Sequence, residues 1–130
     1  MHLDDLYAGW GGLGEVEVQL ETMLRPLAQG RPGSYRRYDW LIGDWAETVS
    51  VEPSPLLVLE GVGSGARRCA DLCTLLVWVE APYEERMRRG LERDGDTFAP
   101  HWEQWAADEA ELFAREGTRE RADLVVDARD

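Results

Sequence analysis

At 130 residues, 44% apolar and 31% charged, the chain is long enough for one modest core and has the make-up of a soluble globular domain. Its net charge of −12, from 26 acids against 14 arginines, repels nucleic-acid backbones, and no apolar run reaches the roughly eighteen residues of a membrane span. The start, Met1-His2-Leu3-Asp4-Asp5, has neither the basic region nor the apolar stretch of a signal peptide, so the reading is a cytoplasmic protein that binds neither nucleic acid nor membrane.

Residues 1–12 read as the end of a strand followed by a loop rich in glycine (Gly9, Gly11, Gly12). Val16, Leu20, Met23, Leu24 and Leu27 recur at helical spacing, which predicts a helix from about Glu15 that Pro26 and Gly30 bring to a close. Residues 30–46 read as a loop rich in arginine and aromatics, and Val49 and Val51 alternate with polar neighbours as a short extended piece. Leu56-Leu57-Val58-Leu59, closed by Glu60-Gly61, has the pattern of a buried parallel strand ending in a site loop.

A short helix is expected over 65–72, then a second buried strand over Thr74–Val79. Pro82 suits a first helical turn and opens a helix through about Arg93. After the Asp94-Gly95-Asp96 break, a long helix from about Pro100 to Glu116 carries the apolar stripe Trp102, Trp105, Leu112 and Phe113. Ala122–Asp127 closes the chain as a last strand. Strands alternating with helices argue one α/β domain over residues 1–130 with a mainly parallel sheet.

Lysine and asparagine are absent and Ile42 is the one isoleucine, a bias that follows AT-rich codons rather than any site. Cys69 and Cys73 lack further metal ligands nearby and read as a reduced pair. Self-association into a homo-oligomer is left open by the sequence.

Four groups of residues carry chemistry. Asp4 and Asp5 stand at a strand end beside a glycine-rich loop, where open α/β sheets bind ligands; a carboxylate there can orient a hydroxyl for attack on a phosphoryl group or hold magnesium. The plainer reading is a turn or capping aspartate. Glu60 ends another strand in the same manner. Arg86, Arg89 and Arg93 share a helix face that reads either as an arginine lid over phosphates or as a salt-bridged face with Glu84, Glu85 and Glu92. Tyr35, Tyr38, Asp39 and Trp40 form an aromatic cluster that suits a planar or sugar substrate, or covers a core edge. Gly61-x-Gly63-x-x-Ala66, with Glu80 ending the next strand, outlines a dinucleotide fingerprint; a full helix directly after Gly65 would support it and a short turn would count against it.

In order, these pieces resemble the uridine kinase branch of the P-loop nucleoside kinases. The resemblance is carried by Leu3-Asp4-Asp5-Leu6-Tyr7, by Tyr38-Asp39-Trp40 with Glu47–Val51 and Leu57–Gly61, by the lid-like Arg89-Gly90-Leu91-Glu92-Arg93-Asp94, and by the closing Ala122–Val126. It implies a P-loop NTPase-like parallel sheet with flanking helices, and transfer of the γ-phosphoryl of ATP, with Mg2+, to a hydroxyl of a nucleoside or related small molecule. By the same resemblance Asp4 matches the acceptor-activating carboxylate. Asp5, Tyr7, Tyr38 and Asp39 match acceptor-binding positions. Glu60, with Asp4, matches the metal-side acid, and Arg89 and Arg93 match lid arginines.

Three departures stand against it. The family's first strand, phosphate loop and first helix are missing, since a chain without lysine has no G-x-x-x-x-G-K-[ST]. The histidine and arginine that come after the Tyr-Asp-Phe segment are replaced near Gly43 and Asp44, and one lid arginine is Gly90. A gene start placed too late, with Met1 an internal position, is the expected explanation, and the chain alone is expected to bind ATP poorly and not to turn over. A non-catalytic binding or regulatory module derived from the kinase fold, and a dinucleotide-dependent oxidoreductase, are the alternatives.

Overall fold

The computed structural model describes residues 1–129, and it divides into two units, Met1–Cys73 and Thr74 onward, each described by itself. It is mixed α/β, with small sheets and flanking helices. Among the described residues, no helix is long and apolar enough to cross a membrane.

The first unit gathers on α1, Val16–Ala28. Val16, Leu20 and Met23 recur at steps of four and three, so they share one face, and that face is buried. Leu3, Leu6, Tyr7, Leu13, Ala66 and Cys69 complete the core. Pro26 lies in the last turn of α1, and its carbonyl accepts from the Gln29 and Arg31 amides as the helix ends.

Against α1 lies a hairpin of β1, Gly33–Asp39, and β2, Asp44–Val51, antiparallel in the register Gly33↔Val51 to Asp39↔Asp44 with an irregularity between Arg36 and Tyr38. This corrects the loop expected over 30–46. The segment lacks an apolar alternation because its cross-strand pairs are built from tyrosine, arginine and tryptophan, which suit strands when their long side chains lie along the sheet. Its turn is set by Asp39, whose Oδ1 accepts from the amides of Leu41 (2.9 Å) and Ile42 (3.4 Å), and by Gly43 at φ +69°.

Arginine–carboxylate contacts fasten a 3-10 helix, Arg67–Leu72, to α1: Arg25 grips Asp71, and Arg68 meets Glu21. The Arg25 hydrogen bond holds the Asp71 carboxyl below its ordinary range.

In the second unit, β3, Val77–Glu80, runs parallel to β4, Leu124–Asp127, in the register Val77↔Leu124 to Glu80↔Asp127. The carboxylate of Asp123 accepts from the Leu76 amide (2.7 Å) and aligns the start of the pair. Three α-helices lie between β3 and β4 in the chain: α2, Tyr83–Asp94, α3, Trp102–Glu116, and the single turn α4, Thr118–Arg121. Gly117 ends α3 in the left-handed region (φ +59°), and its amide bonds the Phe113 carbonyl, the C-terminal stop that glycine makes least strained. Phe98, Trp102 and Leu112 form the core, and Trp78 meets Phe113 edge-on at 4.5 Å.

A Cβ on Gly90 would lie 2.4 Å from the Phe98 ring, so glycine at this position of α2 is what lets the ring pack against the helix.

Two expected buried strands are corrected. The run Leu56–Leu59 is extended chain rather than sheet, with only Glu60 bridged to His2, and it is exposed (Leu56 77%, Val58 62%). The strand expected from Thr74 begins at Val77, and Val77, Val79 and Leu124–Val126 are exposed. Continuous apolar runs mark strands covered on both faces, and in each unit the sheet that would cover them is only two strands wide or a single bridge.

Candidate functional site

The first unit builds a rim where two chain segments run side by side. Met1–Leu3 lies parallel to the end of the 56–60 run: the Glu60 amide donates to the Met1 carbonyl and the Leu3 amide to the Glu60 carbonyl, both at 2.9 Å. Past this bridge the chain turns through a short 3-10 helix, Leu3–Asp5, anchored by buried Leu3 and Leu6. That turn leaves Asp4 and Asp5 exposed. The turn that carries Asp4 thus follows directly on the segment bridged to Glu60. The Glu60 carboxylate lies 2.6 Å from His2 Nδ1, in an exposed contact.

The hairpin reaches the same turn. The Trp40 indole Nε1 donates to the Asp4 carbonyl at 2.8 Å. Tyr38 packs edge-on against Trp40 and Trp45, and Trp40 against Trp10 at 5.2 Å. The Tyr38 hydroxyl sits over Gly9, where a Cβ would come within 3.2 Å of it. Asp39 carries the hairpin turn, and its Oδ2 lies 3.7 Å from Arg37. Arg37 also grips Glu47 through two nitrogens, and those hydrogen bonds hold the Glu47 carboxyl below its usual range. Burial, and next the Asp5 charge, raises the Tyr35 phenol above its ordinary value. Asp5 thus acts electrostatically on β1.

Tyr7 is placed otherwise than an exposed acceptor contact would be. Its ring is buried and its hydroxyl donates to the Val62 carbonyl at 2.6 Å.

Arg89 and Arg93 lie on α2 in the second unit. Arg89 pairs with Glu85 (2.8 Å) and donates to the Ala128 carbonyl (2.6 Å); Arg93 pairs with Asp94 (2.8 Å). Arg88 meets Glu85 and Glu92, which raises its guanidinium still further above its ordinary range. Arg86 crosses to Glu109 on α3 at 2.5 Å and stacks over Tyr83 and Trp102. Burial raises the Glu109 carboxyl against the opposing pull of Arg86. The arginines of α2 are thus engaged by carboxylates along the helix and on α3.

Among the described residues, no group of three or more histidine, cysteine or acidic side chains could by itself hold a metal ion. The Glu60 carboxylate is engaged by His2, and the Asp4 side chain is exposed. An open groove along α1, lined by Val18, Glu21, Thr22, Arg25, Pro26 and Arg68, contains none of these site residues.

The dinucleotide outline is corrected. Gly61 (φ +136°) and Gly63 (φ +94°) form tight turns that lead into the six-residue 3-10 helix Arg67–Leu72, rather than into a full helix whose N-terminus could face a pyrophosphate. His2 and Trp10 belong to the rim but carry no motif that singles them out, whereas Trp40 was already part of the expected aromatic cluster. Trp10 is separated in sequence from the hairpin rings it meets, and only the aromatic content of the Trp40 segment hinted at the cluster.

No family model matches the chain. A uridine kinase from Mycoplasma pneumoniae is 32% identical over 115 residues, 82% of this chain and 54% of that protein. The chain thus spans about half the length of the curated relative it matches. Over most of its length, then, the chain is similar to a uridine kinase, which supports a uridine-kinase-like family.

Proposed function

We propose that the chain supplies the acceptor side of an ATP-dependent phosphotransferase of the uridine or nucleoside kinase type, acting in the cytoplasm. The observation that carries this reading is the bridge between Met1–Leu3 and Glu60, directly after which the chain turns at Asp4. Asp4 takes the proton of the acceptor hydroxyl as its oxygen attacks the γ-phosphorus of ATP; the bond to the bridging oxygen breaks and ADP leaves. Asp5, Tyr38 and Asp39 orient the acceptor at the hairpin. Asp4 and Glu60 would hold magnesium, which supplies charge neutralisation at the phosphates when bound. Arg89 and Arg93 serve as lid charges once released from their present partners.

The phosphate grip, a P-loop with its lysine, lies in this proposal on polypeptide outside the chain. Each unit by itself exposes apolar chain, Leu56–Val58 in the first and Val77 with Val79 in the second, of the kind that further strands would cover.

A transfer assay tests the reading. The chain alone, given ATP, magnesium and uridine or other nucleosides, should produce no nucleoside monophosphate. A chimera joining it to the remainder of the Mycoplasma pneumoniae relative should produce it. Turnover by the chain alone, or a folded chimera that phosphorylates no nucleoside, would contradict the proposal.

A further inference from the structure

Tyr7 makes a bond inside the fold. Its hydroxyl is committed to the Val62 carbonyl at 2.6 Å, across 55 residues of sequence. A buried hydroxyl that gives up its acceptor loses that bond and leaves a carbonyl unsatisfied. The loop it grips is pressed on the Asp4 turn from a second direction. A Cβ on Gly61 would lie 2.9 Å from Leu3 Cβ and 3.0 Å from the Tyr7 hydroxyl, so only glycine permits the approach. The backbone bridge holds the two chain ends as far as Glu60. Beyond Glu60, the Tyr7 hydroxyl adds a side-chain bond to the outgoing loop at Val62.

We infer that Tyr7 is a positioning residue: it fastens the 61–63 loop to the turn carrying Asp4, and so fixes the direction of the Glu60 carboxylate at the rim. This rests on the phosphotransferase reading for its catalytic meaning, but the tether itself is testable without turnover.

Tyr7→Phe keeps the buried ring and removes only the O–H. Two amides report on the loop, Ser64 bonded to the Gly61 carbonyl and Ala66 to that of Gly63. In the variant their hydrogen exchange should quicken about tenfold, the effect of one lost hydrogen bond confined to a local opening. The Arg36 amide, held by Gln19, and the Gly43 amide, held by Asp39, should exchange as before. The His2 ring resonances, which sense Glu60 across 2.6 Å, should shift.

Equal acceleration of all four amides would make the role merely structural and overturn the proposal. So would an unmoved His2 ring. Weakened uridine binding with unchanged loop exchange would return Tyr7 to an acceptor contact. A responding loop and His2 ring uphold the tether even if no nucleoside transfer is ever found, so the two readings fail separately.

Discussion

Gly33→Ala will lower the melting temperature of the first unit by on the order of 15 °C, as followed by circular dichroism. Gly33 is buried where β1 enters the hairpin. A Cβ there would sit 2.1 Å from the Met23 carbonyl oxygen, 2.9 Å from its carbon and 3.2 Å from Leu27 Cγ. The first two are backbone atoms of α1, which a rotamer change cannot move aside. The hairpin must therefore lift from the helix, and overpacking of this kind costs about 3 kcal/mol at the upper end of its usual range. For a unit of this size, each kcal/mol shifts the midpoint by roughly 4–8 °C. Gly11→Ala is the control, since a Cβ there meets nothing within 4 Å. A Gly33→Ala midpoint equal to that of the control would refute the packing of hairpin on helix.

Asp4→Asn, placed in the transfer-competent chimera, will lower kcat by roughly a hundredfold to ten-thousandfold, the usual contribution of a positioned general base. The amide matches the carboxylate in size and leaves the 3-10 turn anchored by Leu3 and Leu6 as before. It loses the ability to take a proton from the attacking hydroxyl. The KM for nucleoside should change far less than kcat, because proton transfer belongs to the transition state. Asp5→Asn, whose charge acts on Tyr35 and Arg37 of β1, should cost under about tenfold by comparison. Undiminished turnover in the Asp4 variant would remove that residue from the mechanism.

The helices were legible because periodicity is a local signal. Val16, Leu20 and Met23 bury the face their spacing predicts, and the break at Asp94–Asp96 does separate α2 from α3. The pairing of Val77–Glu80 with Leu124–Asp127 keeps the expected parallel order. Of the β1–β2 hairpin only the Val49–Val51 end of β2 was legible, since β1 carries tyrosine and arginine in place of an apolar alternation and the turn depends on one carboxylate meeting two amides. Burial was overestimated for Leu56–Leu59 because an apolar run reports what a strand needs and not which neighbours it has.

At the rim, residue type pointed to Asp4 and Glu60 separately. Their adjacency comes from a backbone bridge between segments nearly sixty residues apart, His2↔Glu60, which no local pattern encodes. The direction of the Tyr7 hydroxyl is likewise a matter of packing: the same tyrosine in an exposed loop would face a ligand, and here it faces Val62.

Paired calorimetric titrations of the chain, one with uridine and one with magnesium–ATP, test most directly whether it holds the acceptor side of the reaction. Heat of binding with uridine, abolished by disrupting the Tyr38–Trp40 contact, and none with magnesium–ATP is the predicted result. Tight magnesium-dependent binding of ATP, with no response to any nucleoside, would contradict it.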